Sequence, residues 1–355
     1  MRIVSPFLKR VVYPSLSRTG ILRRASGRGL AVVTYHGVVP PGYQPIDGML
    51  DGNLVTAHEL RRQLRFLKSR YNVLQPEDVL AWREGGKDLP ERAVLLTCDD
   101  GLLNHLTCMA PILREENVSC LFFVTGASCA PNRTMLWYEE LFLLFLRSPS
   151  GFYRVSCDGF VADFELGSTE QRGALWWSYV KSLSTIDTQL RRNCLDALEA
   201  ALGSRPLEDL SSENSSFMQR FGLLTAGEVS SLSAAGMTIG AHTMSHPMLS
   251  QCSPGVAQSE IAECRERLES IENSRVWAFA YPFGDAQSVT PEVLELPEAA
   301  GYTAAFMNHG GGLGADLRPF ALPRIHVTAQ TSLAELEAHV SGFYSGLHRR
   351  LGRSA

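Results

Sequence analysis

The chain has 355 residues, 45% of them hydrophobic and 20% charged, with a formal net charge of −4. That balance suits one large folded domain that removes about three quarters of its unfolded surface from water and excludes a disordered chain. No apolar run approaches the ~18 uncharged residues that a membrane-crossing helix needs, so a transmembrane span is excluded as well.

The charge is unevenly laid down. Residues 1–46 carry seven basic residues (Arg2, Lys9, Arg10, Arg18, Arg23, Arg24, Arg28) and no acidic one, against 26 basic and 37 acidic in the remainder. Residues 1–29 therefore read as a basic arm. Val4, Leu8, Val11 and Val12 fall roughly on one helical stripe, which suits peripheral contact with an anionic membrane face; packing on the acidic body accounts for the charge equally well. Pro6, Lys9, Arg10, Pro14 and Arg18 break any continuous apolar segment and no A-x-A site follows, so no secretory leader is expected. The eight Cys lack CxxC pairs and regular spacing. Reduced thiols in a cytoplasmic protein, at most peripheral to the inner membrane face, explain them more simply than disulfides, which an even count also admits. No nucleic-acid partner is expected.

Leu30 to Tyr35 reads as a first strand ending at His36, an imidazole that either serves a site at the strand's carboxyl end or is a structural His. A Pro- and Gly-rich loop, Val38 to Asn53, follows. Thr56 caps a helix whose Leu60, Leu64 and Leu67 recur at helical spacing. After a short strand at Asn72 to Leu74 and a helix from Pro76 to Trp82 comes AVLLTCDDG, Ala93 to Gly101. This is a buried strand stopped by two carboxylates, Asp99 and Asp100, which can face different ways and take different tasks. Read alone, Asp-Asp-Gly is equally an ordinary turn. A helix from about Asn104 to Glu115 carries His105, expected at its N-terminal end or on the surface, and VSCLFFVTG is the next strand. Strand and helix alternate, as in parallel β/α units closing into a barrel.

From 127 to 224 the alternation fails, and the stretch reads as a mostly helical insertion at the active edge. Trp137, Tyr138, Trp176 and Trp177 are placed either to stack on a sugar or to fill a core. Alternation resumes at Thr225. The run MTIGAHTMSHP places His242 and His246 four apart; in a helical turn both imidazoles would meet on one ion. Two His and one carboxylate, with positions left for water, make a catalytic rather than a structural metal set. Pro254 to Ile271 reads as a helix and Val276 to Ala280 as a strand entering YPFG. The body is taken to run from 30 to 347, leaving a tail at 348–355.

LLTCDDG resembles the TFDDG motif of the polysaccharide deacetylase family (NodB-like, a carbohydrate esterase family), HTMSHP resembles its H-[ST]-x-x-H-[PS] motif, and AFAYPFG resembles its third motif. The resemblance implies a distorted (β/α) barrel, with the insertion as a departure from the compact family core. It also implies a metal-dependent hydrolase that removes acetyl from an N-acetylated amino sugar or polysaccharide precursor, as in exopolysaccharide biosynthesis. In the family's pattern Asp100, His242 and His246 hold a divalent metal, most simply Zn²⁺, and Asp99 is the base. The N–H near Tyr281 meets the developing oxyanion. Where the commoner third motif carries an Arg that orients the base, this chain has Ala280, and Arg324 in LPRIHV is the substitute candidate. His326, preceded by Ile325 instead of the usual Leu, matches the general acid in part; His309 in NHGGGLG competes for that role. His36, Phe283 and His309 are the substrate-contact candidates. Two other readings share the barrel: an amidase acting on a ureide or cyclic imide, and a decayed carbohydrate-binding protein, which would have no use for Asp99.

Overall fold

The computed structural model describes residues 6–25, 29–130, 132–157, 160–211, 215–313 and 317–350. Arg2, Arg28 and residues 351–355 of the expected tail lie outside them.

Among the described residues there are ten strands: β1 Leu30–Tyr35, β2 Asn72–Val73, β3 Ala93–Cys98, β4 Leu121–Val124, β5 Gly151–Cys157, β6 Phe160–Leu166, β7 Thr238–Ala241, β8 Ala278–Ala280, β9 Ala304–Gly310 and β10 Leu322–His326. β1, β10, β9, β8, β7, β4 and β3 pair in that order, all parallel. β3 returns to β1 along its full length, from Leu30↔Ala93 to Tyr35↔Cys98, and closes a seven-stranded barrel. The short β2 adds to the lower part of β3. The distorted (β/α) barrel expected from the alternation is thus the observed fold.

Strands buried on both faces explain why AVLLTC and LAVVTY read as unbroken apolar runs. Alternate residues fill the interior, among them Val32, Leu95, Phe123, Ala278, Ala280 and Phe306. The opposite faces (Val33, Leu96, Phe122, Phe279) pack against a shell that includes Leu60, Leu64 and Leu67 of the helix Ala57–Arg70. Thr56 caps that helix as its position predicts, accepting from the Glu59 N–H. Gly240 makes room inside the barrel. A Cβ there would come within 2.6 Å of the Phe123 ring.

The insertion between β4 and β7 has its own core. Helices Trp137–Arg147, Thr169–Leu183 and Thr188–Leu202 pack with the antiparallel hairpin β5–β6 around Leu141, Phe145, Phe164, Val180 and Leu198. At the N-terminus, helical residues 6–25 lie on the end of the chain. Tyr13 and Leu22 are buried against Ala338, and Lys9 reaches Glu335 at 2.7 Å. The last helix, Phe343–Arg350, runs past position 347 into the expected tail. No helix among the described residues is long and apolar enough to cross a membrane.

Candidate active site

Because every barrel strand runs the same way, their carboxyl ends form one rim, and His36, Asp99, Asp100, His242 and His326 all follow or end strands there. β3 stops at Cys98. Asp99 follows outside the strand, and Asp100 takes a left-handed backbone (φ 88°); the Asp99 carboxylate meets Arg324 and the Asp100 carboxylate meets His242 and His246.

The His242–His246 segment is not helical. It leaves β7 as a tight loop in which Thr243 (φ 64°) and His246 (φ 56°) are both left-handed, and the Thr243 hydroxyl accepts from the His246 N–H at 3.0 Å. The two imidazoles still converge, with centroids 4.8 Å apart. His242 Nε2 lies 3.6 Å and His246 Nε2 3.5 Å from Asp100 Oδ1. The second ring nitrogen of His242, Nδ1, lies 2.7 Å from the Ala280 carbonyl, which orients the ring with Nε2 toward Asp100. Ligands at ~2.1 Å from a tetrahedral ion stand about 3.4 Å apart, so these spacings fit one cation. The three residues are also the one such cluster among those described. Burial would raise the Asp100 carboxyl, but the two imidazoles facing it hold it well below the usual range. Burial lowers His246 despite Asp100, favouring the neutral form that ligates a metal.

Asp99 is gripped by Arg324, whose Nη1 and Nη2 donate to Oδ1 and Oδ2 at 2.6 Å each. The guanidinium is held in the barrel interior by the Met307 carbonyl (2.7 Å) and the hydroxyls of Thr34 (3.2 Å) and Thr97 (3.3 Å), over the Phe123 ring. A fork of donors arrives from β10 at the carboxylate that Ala280 on β8 is too short to reach. Burial pushes Asp99 up, yet Arg324 with His242 and His36 outweighs it, and the carboxyl lies below its ordinary value. His36 Nε2 is 4.0 Å from Asp99 Oδ2, and the His36 and His326 rings stand 4.7 Å apart. His326 Nε2 and His36 Nδ1 have no partner. Burial, then the neighbouring His36, hold His326 down to about 3.

Several sequence-based expectations need correction. The Tyr281 N–H donates to the Phe306 carbonyl (3.1 Å) and its hydroxyl to the Phe320 carbonyl (2.9 Å), so neither is open to a substrate oxygen. Two residues on, the Phe283 N–H makes no hydrogen bond, and its ring packs 5.0 Å from that of His246. His309 belongs to the exposed end of β9 and makes no hydrogen bond or ring contact with the cluster. His105 is fully buried, with Nε2 3.3 Å from Cys98 Sγ and 3.4 Å from the His36 carbonyl.

The insertion reaches the rim itself. Trp137 Nε1 donates to the His246 carbonyl (3.2 Å), the Tyr138 ring packs tilted against the His246 ring (centroids 4.8 Å), Arg191 donates to Ser245 Oγ (3.0 Å), and the Ser245 N–H donates to Glu260 (2.8 Å). These aromatics brace the ligand loop. Glu139 and Arg220, which line a cavity beside Asp100, escaped notice in the sequence. The one signal there is the charge of Glu139 within the strongly apolar helical run Trp137–Arg147.

The model of the polysaccharide deacetylase family matches residues 209–305, a span that holds His242, His246 and Phe283 but neither Asp99 nor Asp100. YxkH of Bacillus subtilis (strain 168), whose name places it among polysaccharide deacetylases, is 25% identical over 117 residues, 33% of this chain and 41% of YxkH. The match thus spans about two fifths of that curated relative. Among solved structures, deacetylase PplD of Streptococcus pyogenes superposes with a TM-score of 0.55 at 16% identity, covering 89% of this chain and 99% of PplD. IcaB from Ammonifex degensii gives 0.53 at 17% identity, covering 88% and 97%. At such identities these two show the shared fold. Taken with the motifs on the rim, the match over the imidazole-bearing segment makes that part of the chain similar to polysaccharide deacetylases, on a fold shared with the solved structures of PplD and IcaB.

Proposed function

We propose that the chain is a metal-dependent hydrolase that removes acetyl groups from N-acetylated amino sugars of a polysaccharide or its precursor. The observation that carries this reading is the meeting of Asp100, His242 and His246 within 4.8 Å of one another beside an Asp99 held ionised by Arg324. A divalent cation held by the three residues, with Zn²⁺ suited to two imidazoles and a carboxylate, supplies a Lewis acid for the amide carbonyl and lowers the pKa of water. Asp99 receives the proton of the attacking water, and Arg324 fixes its orientation. The Phe283 N–H, free of the sheet ladder, is the backbone donor nearest in sequence to the expected oxyanion contact. His326 hands a proton to the departing amine. Its ring is neutral at rest, so that proton is one received during the reaction, and His36 between it and Asp99 is the neighbour able to pass it on.

The test is acetate release from N-acetylglucosamine oligomers alongside metal content by elemental analysis. Asp99→Asn is expected to lose at least ~10²-fold in kcat with metal retained, and Asp100→Ala or His246→Ala to lose the metal. Unchanged metal in both ligand variants would refute the ligand assignment. Faster turnover of a ureide than of any acetylated sugar would favour the other amidase.

The arm supports a second, smaller proposal, a cytoplasmic protein resting on an anionic membrane face. With Tyr13 and Leu22 spent on packing, Phe7, Val11 and Ile21 stay exposed among exposed Arg10, Arg18, Arg23 and Arg24, the mixture that interfacial helices present to acidic lipid.

A further inference from the structure

Beside the triad lies a cavity of about 50 Å³, lined by Asp100 and His36 from the barrel rim and by Tyr138, Glu139, Trp176 and Arg220 from the insertion. Arg220 is fully buried and forms the centre of a charged cluster. Its Nε donates to Asp51 Oδ1 (2.8 Å), and its Nη2 donates to Glu139 Oε1 (2.7 Å) and to the Leu50 carbonyl (2.6 Å). This arrangement leaves one donor and one acceptor unused. Arg220 Nη1 and Glu139 Oε2 are both buried and both without a partner, although an ion pair closed through both forks would have satisfied them.

The charge of the cluster selects the ligand. One guanidinium faces two carboxylates, and burial pushes Glu139 up to about 7 against the pull of Arg220. The cluster is therefore neutral to negative and repels phosphate, sulfate or carboxylate. A hydroxyl has the matching chemistry, a lone pair for an Nη1–H and an O–H for Oε2, and the Tyr138 and Trp176 side chains that line the cavity offer the apolar wall that a sugar's C–H groups require. Size narrows the choice further. A cavity of ~150 Å³ accommodates benzene, so one about a third as large takes a hydroxymethyl-sized arm and not a ring.

We infer that Arg220 and Glu139 form a specificity subsite that reads the exocyclic hydroxymethyl group of a neutral amino sugar whose acetamide lies at the triad. The subsite rests on the deacetylase reading for its substrate class. It makes the insertion a selector of which sugar is processed.

The experiment compares kcat/KM for an N-acetylglucosamine oligomer with its 6-deoxy counterpart. The wild-type protein is expected to prefer the parent by at least ~10²-fold, since a site built around a hydroxyl leaves its buried groups unpaired when the hydroxyl is missing. Glu139→Gln keeps the oxygen facing Arg220 but removes the acceptor for the sugar's O–H, so the preference should fall by about tenfold while the Arg220 contact keeps the remainder. Equal wild-type rates on the two substrates, the result expected if a water molecule alone occupies the cavity, would overturn the subsite. So would a preference that Glu139→Gln leaves undiminished. The wild-type comparison needs no variant and stands if Glu139→Gln fails to fold. Should the wild-type protein release no acetate from either oligomer, the deacetylase reading falls, and calorimetric binding of the same two oligomers decides the subsite: tighter binding of the parent retains it, and equal or absent binding removes it.

Discussion

Replacing Arg324 by Met should destabilise the protein by an amount set by what the guanidinium leaves behind. Met keeps most of the apolar bulk over Phe123 but removes both 2.6 Å bonds to Asp99 together with those to Met307, Thr34 and Thr97. Asp99 is then a carboxylate 2% exposed with no countercharge of comparable reach. Stripping one partner from a buried pair costs about 3–5 kcal/mol. Unfolding entropy of about 2.1 cal/mol/K per residue over 355 residues converts that into a fall of roughly 4–7 °C in Tm at neutral pH. The pH dependence carries the sign. In the wild-type protein the Asp99 carboxyl is depressed, so its contribution is present above the unfolded carboxylate pKa of about 4 and is lost as pH falls through the folded value. In Arg324→Met burial is opposed only by His242 and His36, and the folded pKa is expected to rise above the unfolded one. The variant should therefore regain stability on acidification through that raised pKa, where the wild type gains none from this group. Thermal melts followed by circular dichroism between pH 5 and 8 on Arg324→Met, Asp99→Asn and the double variant form the assay. The double variant, with no buried charge to compensate, should recover most of the loss. A double variant as unstable as Arg324→Met at neutral pH, or a single variant melting within about 1 °C of wild type, would refute the reasoning.

His105, held to about 4 by burial, is neutral in the folded chain while its unfolded counterpart protonates near 6.5. Stability should consequently fall as pH drops from 6.5 toward 4, on the order of 3 kcal/mol in all, and His105→Gln should flatten that part of the curve in denaturant titrations; an unaltered slope would show that other groups control it. For the arm, co-sedimentation with vesicles containing ~30% anionic lipid should retain the wild-type protein at low salt and release it above ~0.5 M salt, with Phe7, Val11 and Ile21 jointly changed to Ser weakening retention. Equal retention on neutral vesicles would count against an electrostatic footing.

What was legible in the sequence follows from where each residue's partners lie in the chain. Parallel strands buried on both faces announce themselves as apolar runs, so β1, β3 and β4 could be read directly, and their polar terminations at His36 and Asp99–Asp100 marked the rim. Arg324 was reachable as well, since a missing Arg at Ala280 leaves a carboxylate in want of a donor. The details of convergence were not reachable. Left-handed backbone at Asp100, Thr243 and His246 is paid for by tertiary contacts, and spacing alone favoured a helix that does not form. Tyr281 misled because an N–H near a motif is open or occupied according to strand pairing, here with Phe306, which no local pattern records.

The insertion shows the same limit from the other side, and it alters how the site is to be understood. Trp137 and Tyr138 fill an apolar helix face, as their spacing suggests, yet one bonds the His246 carbonyl and the other covers its ring. Core packing and ligand positioning are here a single set of contacts. The left-handed turn at His246 has no helix to hold it and depends on Trp137, and on Arg191 and Glu260 through Ser245. Loss of the insertion would thus release one of the three residues of the candidate metal cluster along with part of the cavity lining. A barrel whose rim loop leans on an insertion cannot vary that insertion freely, and the buried charges of Arg220 and Glu139 sit within that insertion, beside Asp100.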